Sequence, residues 1–263
     1  MEWGLKNRLS RMIRPDTGRI VMLAVDHGYF QGPTTGLRDF NPTVDPLLPY
    51  ADTLMITRGM LRACIPPTNT VPIMLRVSGG TSVLSELSHE GLTNDIDDAI
   101  RLNVCGITLS IFVGAPGERE SLLNLGKLVD WGNRYGIPAM AVTAVGREMV
   151  RDERYLGLAS RIAAEIGASM VKTYYVDDFE KVVRAAKVPV VIAGGKKIPE
   201  KDALAMAAGA VACGAAGVDM GRNVFQSDDP VAMIQAVRAV VHDGESPGKA
   251  FEMYQDLRAS RAK

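Results

Sequence analysis

Cysteine is scarce in this chain, and Cys64, Cys105 and Cys213 form an odd, widely spaced set. Without a C-x-x-C pair among them, a disulfide framework or a zinc site is excluded as an organising device, and reduced thiols in a reducing compartment are expected. The histidines His27, His89 and His242 are scattered, without the carboxylate spacing of a ligand set, so no metal is expected. Neither sign of charge is in excess: Lys and Arg together number 30, as do Asp and Glu, and no basic block stands out. The long-range field that gathers nucleic acid or anionic lipid is therefore missing, and a small, locally bound ligand is favoured. No run stays apolar long enough to span a bilayer. The start, Met1-Glu2-Trp3-Gly4-Leu5-Lys6, lacks a basic segment followed by an apolar one, so a cytoplasmic protein is expected.

What is present is a sufficient core. With 263 residues and 47% hydrophobic content the chain matches a one-domain α/β barrel, which typically needs roughly 250 residues. Eight short apolar runs, bounded by Gly, Pro, Asp or Asn, lie at 20–25, 53–56, 72–77, 106–112, 138–143, 169–174, 189–193 and 217–220. Helical spacing of apolar residues marks 94–102, 118–135, 160–166, 182–186, 200–213 and 230–241. Alternating strands and helices imply a parallel sheet covered on both faces or closed on itself. A count of eight favours closure, and the G-x-G-x-x-G turn of an open dinucleotide-binding sheet is absent after Val25. The predicted architecture is a single (β/α)8 TIM barrel over 1–263. Its long loops lie at 28–52 and 78–94, and its charged tail, from about 244, either packs as a last helix or frays.

Catalytic groups of such barrels stand at the C-terminal ends of the strands. Within Ser169-Met170-Val171-Lys172-Thr173-Tyr174, period-two alternation puts Met170, Lys172 and Tyr174 on one face. If that face is internal, desolvation frees the neutral amine and Lys172 is a nucleophile; if external, its stem snorkels between helices. Asp26-His27-Gly28 closes the first strand, where Asp26 is either an acid–base partner of an amine or a loop cap, and His27 a proton shuttle near neutral pH. The seventh run ends in Gly194-Gly195-Lys196-Lys197 and the eighth in Gly221-Arg222-Asn223. Loops after strands seven and eight often bind phosphate, because small residues let backbone N–H groups reach its oxygens. Arg58 and Arg76 are candidates for a second anionic or polyhydroxyl portion, or else tie strand ends together.

Asp26-His27-Gly28, Val171-Lys172-Thr173-Tyr174-Tyr175, Gly194-Gly195 and Gly221-Arg222-Asn223 together resemble the archaeal-type class I aldolase family, over nearly the whole chain from Trp3 to Tyr254. The stretch from Asp26 to Leu37, Met149-Val150-Arg151-Asp152 and the stretch from Gly217 to Asp228 look like a thiolase branch of that family that acts in autoinducer-2 breakdown. The resemblance implies that Lys172 forms a Schiff base and that the late glycines with Arg222 hold phosphate. It implies a small phosphorylated keto substrate and coenzyme A as co-substrate, with dihydroxyacetone phosphate and acetyl-CoA as products. It also implies a large homo-oligomer, ten subunits in two rings, and no separate cofactor. Two departures stand out. The aldolases place a proton-transferring tyrosine at the end of the fifth strand, where Thr143 stands here, and the thiolase branch carries a further polar N-terminal segment not seen in this sequence. The competing expectations are an aldolase or lyase on another phosphorylated sugar and a non-catalytic sugar-phosphate binder.

Overall fold

The computed structural model describes residues 2–144 and 150–261. Eight parallel strands close into a barrel in chain order: β1 (Ile20–Ala24), β2 (Thr53–Thr57), β3 (Ile73–Arg76), β4 (Gly106–Ile111), β5 (Ala139–Thr143), β6 (Met170–Tyr174), β7 (Val190–Ala193) and β8 (Gly217–Met220), with β8 pairing back to β1. Each predicted run supplies one strand. The pleat then divides their side chains into two layers. Met22, Met55, Met74, Met140 and Met170 fill the interior with Ile20, Ala24, Cys105 and Val191. Val21, Leu23, Leu54, Ile56, Leu75, Ile107, Val171 and Ile192 point outward under the helices. Burying one such aliphatic side chain stabilises the fold by about 1.5–3 kcal/mol.

Local signals set the helix ends. Asp152 accepts from the Tyr155 amide at 2.8 Å and starts helix Glu153–Ile166, which Gly167 ends at φ +110°. Asp229 accepts from Val231 and Ala232 at 3.1 and 3.0 Å, with Pro230 in the first turn of helix Pro230–His242. Helix Trp3–Met12 has no counterpart among the predicted segments, because it is mostly polar and buries only Leu5 and Met12. It seats Met12 in the barrel interior, and Arg8 donates to the Gly136 carbonyl, just ahead of β5, at 3.0 Å. The two long loops also carry structure: 28–52 holds helices Gly28–Gln31 and Phe40–Val44, and 78–94 holds a two-stranded antiparallel ribbon, Ser78–Gly79 with Gly91–Leu92. The tail packs rather than frays. Helix Pro247–Arg261 lies on Glu200–Ala212 and Pro230–His242, buries Ala250 and Tyr254, and pairs Arg258 with Asp228 at 3.0 Å.

Candidate active site

The C-terminal ends of the strands open into a cavity of about 400 Å³, which Asp26, His27, Lys172, Gly194, Gly195, Gly221 and Arg222 all line. A volume of this order suits a small organic ligand. Lys172 rises from the inward face of β6 and is buried, so the internal reading of the alternation holds. Its Nζ lies 2.9 Å from Asp219 Oδ2 and 3.9 Å from Met55 Sδ. The carboxyl of Asp219 is fully buried and titrates above its ordinary value, because burial outweighs the nearby Lys172 ammonium.

Asp26 is paired with a guanidinium rather than with the Lys172 amine. Its Oδ2 accepts from Arg76 Nε at 2.8 Å, and Arg76 also donates to Ser110 Oγ at 3.0 Å. Burial would raise the Asp26 carboxyl, but the charges of Arg76, His27 and Lys172 and the Arg76 hydrogen bond hold it below the usual carboxylate range. Arg76 thus ties the ends of β1, β3 and β4 together. Its guanidinium lies 5.1 Å from the centre of the Tyr29 ring, and Glu90 accepts from both the Tyr29 hydroxyl and Ser78, each at 2.6 Å. His27 stands edge-on to Phe225, with Nδ1 3.9 Å from Asp26 Oδ1. Burial lowers its pKa to about 4; Asp26 opposes this, while Lys172, Arg222 and Arg76 add to it. At neutral pH its ring is therefore uncharged.

The opposite side of the mouth is cationic. Arg222 opens the short helix Arg222–Phe225 after β8, and burial lowers its pKa. Arg151 spreads its guanidinium 4.0 Å from the centre of the Tyr174 ring, and Lys196 completes the rim. Asn223 fixes the turn after β7: its Nδ2 donates to the Gly194 carbonyl at 2.6 Å, and its Oδ1 accepts from the Ile198 amide at 2.9 Å. A side chain at Gly221 would stand 2.4 Å from the Ala24 carbonyl oxygen and from His27 Cε1, so only glycine lets β8 turn there.

Arg58 does not reach this cavity. It lines a smaller pocket beside it, which shares Tyr29 and Arg76 with the first, and pairs with Asp98 at 3.3 Å. Thr143 touches the cavity, but its hydroxyl donates to Thr173 Oγ1 at 2.8 Å, and Val142 takes the inward place on β5. Of the motif Met149-Val150-Arg151-Asp152, Met149 lies outside the described residues, as do Val145 and Gly146. Asp219 and Arg151 enter the sequence reading only inside the stretches that carry the resemblance, not as site residues. A signal for Asp219 existed: it interrupts an apolar run on the same inward parity that singled out Lys172. Among the described residues no group of three or more His, Cys, Asp and Glu is arranged to hold a metal ion, and no helix is long and apolar enough to cross a membrane.

The profile of the DeoC/LacD family of aldolases matches residues 20–227. The 3-hydroxy-5-phosphonooxypentane-2,4-dione thiolase of Photorhabdus laumondii is 55% identical over 97% of this chain and 88% of its own length. The thiolase of the same name from Escherichia coli K12 is 54% identical over the same shares. Among solved structures, an archaeal fructose 1,6-bisphosphate aldolase superposes with a TM-score of 0.80 at 26% identity, covering 91% of this chain and 99% of its own. Another structure of an archaeal fructose-1,6-bisphosphate aldolase, with its catalytic lysine covalently bound to a carbinolamine intermediate, also superposes at 0.80 and 26% identity, over 90% of this chain and 99% of its own.

Proposed function

This chain belongs to the DeoC/LacD family of aldolases, and on that premise we propose that it is a Schiff-base thiolase. Its substrates are 3-hydroxy-5-phosphonooxypentane-2,4-dione and coenzyme A, its products dihydroxyacetone phosphate and acetyl-CoA, and its setting autoinducer-2 breakdown. The observation that carries the reading is the buried, inward Lys172 beside a cationic, glycine-lined rim, in a chain 55% identical to a thiolase of that name.

In this reading Arg222 and the backbone around Gly194, Gly195 and Gly221 hold the substrate phosphate, and Lys172 Nζ condenses with the C4 carbonyl. The iminium is then an electron sink for the C2–C3 bond. Attack of the CoA thiolate on C2 breaks that bond, the acetyl group leaves as the thioester, and the electron pair is retained as an enamine. Protonation at C3 and hydrolysis of the imine release dihydroxyacetone phosphate. Asp26, kept anionic by Arg76, and the neutral ring of His27 border the reacting carbons as hydrogen-bonding partners. The working form in this proposal is a cytoplasmic homo-oligomer, ten subunits in two rings, which sedimentation velocity would test.

The deciding experiment incubates the phosphorylated dione with and without CoA and identifies the products by mass. Acetyl-CoA formed only in the complete mixture is expected, and borohydride with dihydroxyacetone phosphate should add the ligand mass to the peptide carrying Lys172. CoA-independent cleavage would instead select a carbon–carbon lyase like the archaeal aldolases. An unmodified Lys172 and no turnover would select a sugar-phosphate binder.

A further inference from the structure

We propose that Asp219 is a catalytic residue: it takes a proton from the Lys172 ammonium before imine formation and returns it to the hydroxyl that leaves. The inference rests on the Schiff-base reading of Lys172 and names the group that makes its amine available.

Three observations carry it. The first is placement. Asp219 lies on β8, level with Ala193 on β7, which in turn is level with Tyr174 on β6. The intervening inward residues, Val191 and Ala193, are short, and Gly217 and Gly221 flank Asp219 on its own face, so the long lysine stem reaches across β7 to the carboxyl. The result is the 2.9 Å separation of Nζ and Oδ2. The second is isolation. Apart from that ion pair, neither oxygen of Asp219 accepts a hydrogen bond among the described residues. A fully buried carboxylate with so few partners is costly as an anion and is a ready proton acceptor. The third is the contrast with Asp26. That carboxylate is fastened to Arg76, a cation that keeps its proton, and is held as an anion. The charges that act on Asp219 agree: Lys172 and Arg76 favour its ionised form, Asp26 opposes it, and burial prevails to raise its pKa.

The proton balance closes. Asp219 takes one proton from the ammonium, leaving a carboxylic acid and a neutral amine. The amine nitrogen forms the N–C bond, the carbonyl π pair moves to oxygen, and a proton passes from nitrogen to that oxygen to give the neutral carbinolamine. Asp219 then protonates the hydroxyl, the C–O bond breaks, water departs, and the nitrogen lone pair forms the iminium. The carboxylate, restored, is left beside the new cation, which it stabilises.

The test is single-turnover borohydride trapping of dihydroxyacetone phosphate on Lys172, in the wild type and in the variants Asp219→Asn and Asp219→Ala, each checked for its native circular-dichroism spectrum. The maximal trapping rate is expected to fall by about 100-fold or more, while the half-saturating ligand concentration stays near the wild-type value. The lost rate should return as pH rises, since the ammonium must then lose its proton to solvent, and formate should restore part of it in Asp219→Ala. A maximal rate unchanged from the wild type in either folded variant overturns the proposal. Absence of any adduct in the wild type sinks the Schiff-base reading itself, so the two failures are distinguishable.

Discussion

At the scale of single residues, the site separates two carboxylates by their partners. Asp26 has a guanidinium and remains an anion; Asp219 has an ammonium and little else. His27 sits among these charges with its pKa lowered to about 4, and this has a consequence for stability. In the unfolded chain an ordinary histidine takes up a proton near pH 6.5, whereas in the folded protein it does so only near 4. Its contribution is therefore complete above pH 6.5 and is lost as pH falls toward 4, by about 3 kcal/mol in all. Urea titrations between pH 7 and 4 should show His27→Gln losing less stability than the wild type over that window; parallel losses would refute the buried neutral ring. Arg222→Ala should raise KM for the phosphorylated dione by the equivalent of about 1.5–3 kcal/mol, the worth of a hydrogen bond to a charged group. Equal activity of the wild type on phosphorylated and dephosphorylated diones would remove phosphate from the recognition scheme.

At the scale of elements, the rim depends on a clamp between two strand ends. Asn223, at the start of a four-residue helix, holds the β7 turn through Gly194 and Ile198, so the turns after β7 and β8 are tied to one another. Asn223→Ala leaves a half-buried carbonyl and a half-buried amide without their partners, at a cost of about 1–3 kcal/mol for the two. Thermal unfolding should register that loss, and kinetics should show a raised KM with a smaller change in kcat. A stability loss with KM unchanged would mean that the clamp supports the fold alone. These ends were partly legible in advance, because glycines at the ends of the seventh and eighth runs announce close backbone approach. The role of Asn223 was not, since an asparagine after Gly-Arg reads equally as a helix start or a turn.

At the scale of the whole molecule, chemistry and closure occupy opposite ends of the barrel. Asp52, just ahead of β2, accepts from the Val21 amide at 2.7 Å, contacts His242 Nε2 at 2.7 Å and accepts from Arg238 at 3.0 Å, joining β1, β2 and helix Pro230–His242 far from Lys172. Burial raises its carboxyl, but the hydrogen bonds from His242, Val21 and Arg238 outweigh this and hold it below the usual range. Its contribution is thus present above the unfolded value near 3.8 and fades as pH drops below that. Asp52→Ala is expected to lower unfolding free energy by about 3 kcal/mol, because it strands the partly buried Arg238 guanidinium and leaves the Val21 amide without its partner. At a temperature where the variant is folded, kcat should match the wild type; a kcat defect would show that the two ends of the barrel are coupled.

The barrel itself was legible in the sequence. Eight apolar runs, the turn residues between them and period-two alternation within them determined the strands and which residues share a face with Lys172, because the pleat is a local property of the backbone; that this face points inward was decided by closure of the barrel. Helix Trp3–Met12 escaped, since an amphipathic signal of two buried residues is too thin to read. Which charge meets which was decided only by closure. Asp26, Arg76, Lys172 and Asp219 come from β1, β3, β6 and β8 or their ends, and nothing in their spacing along the chain says that the first two pair with each other and the last two with each other. Strand stagger and the short side chains of Val191 and Ala193 settle that, by fixing how far a lysine stem and an aspartate can reach across the same mouth.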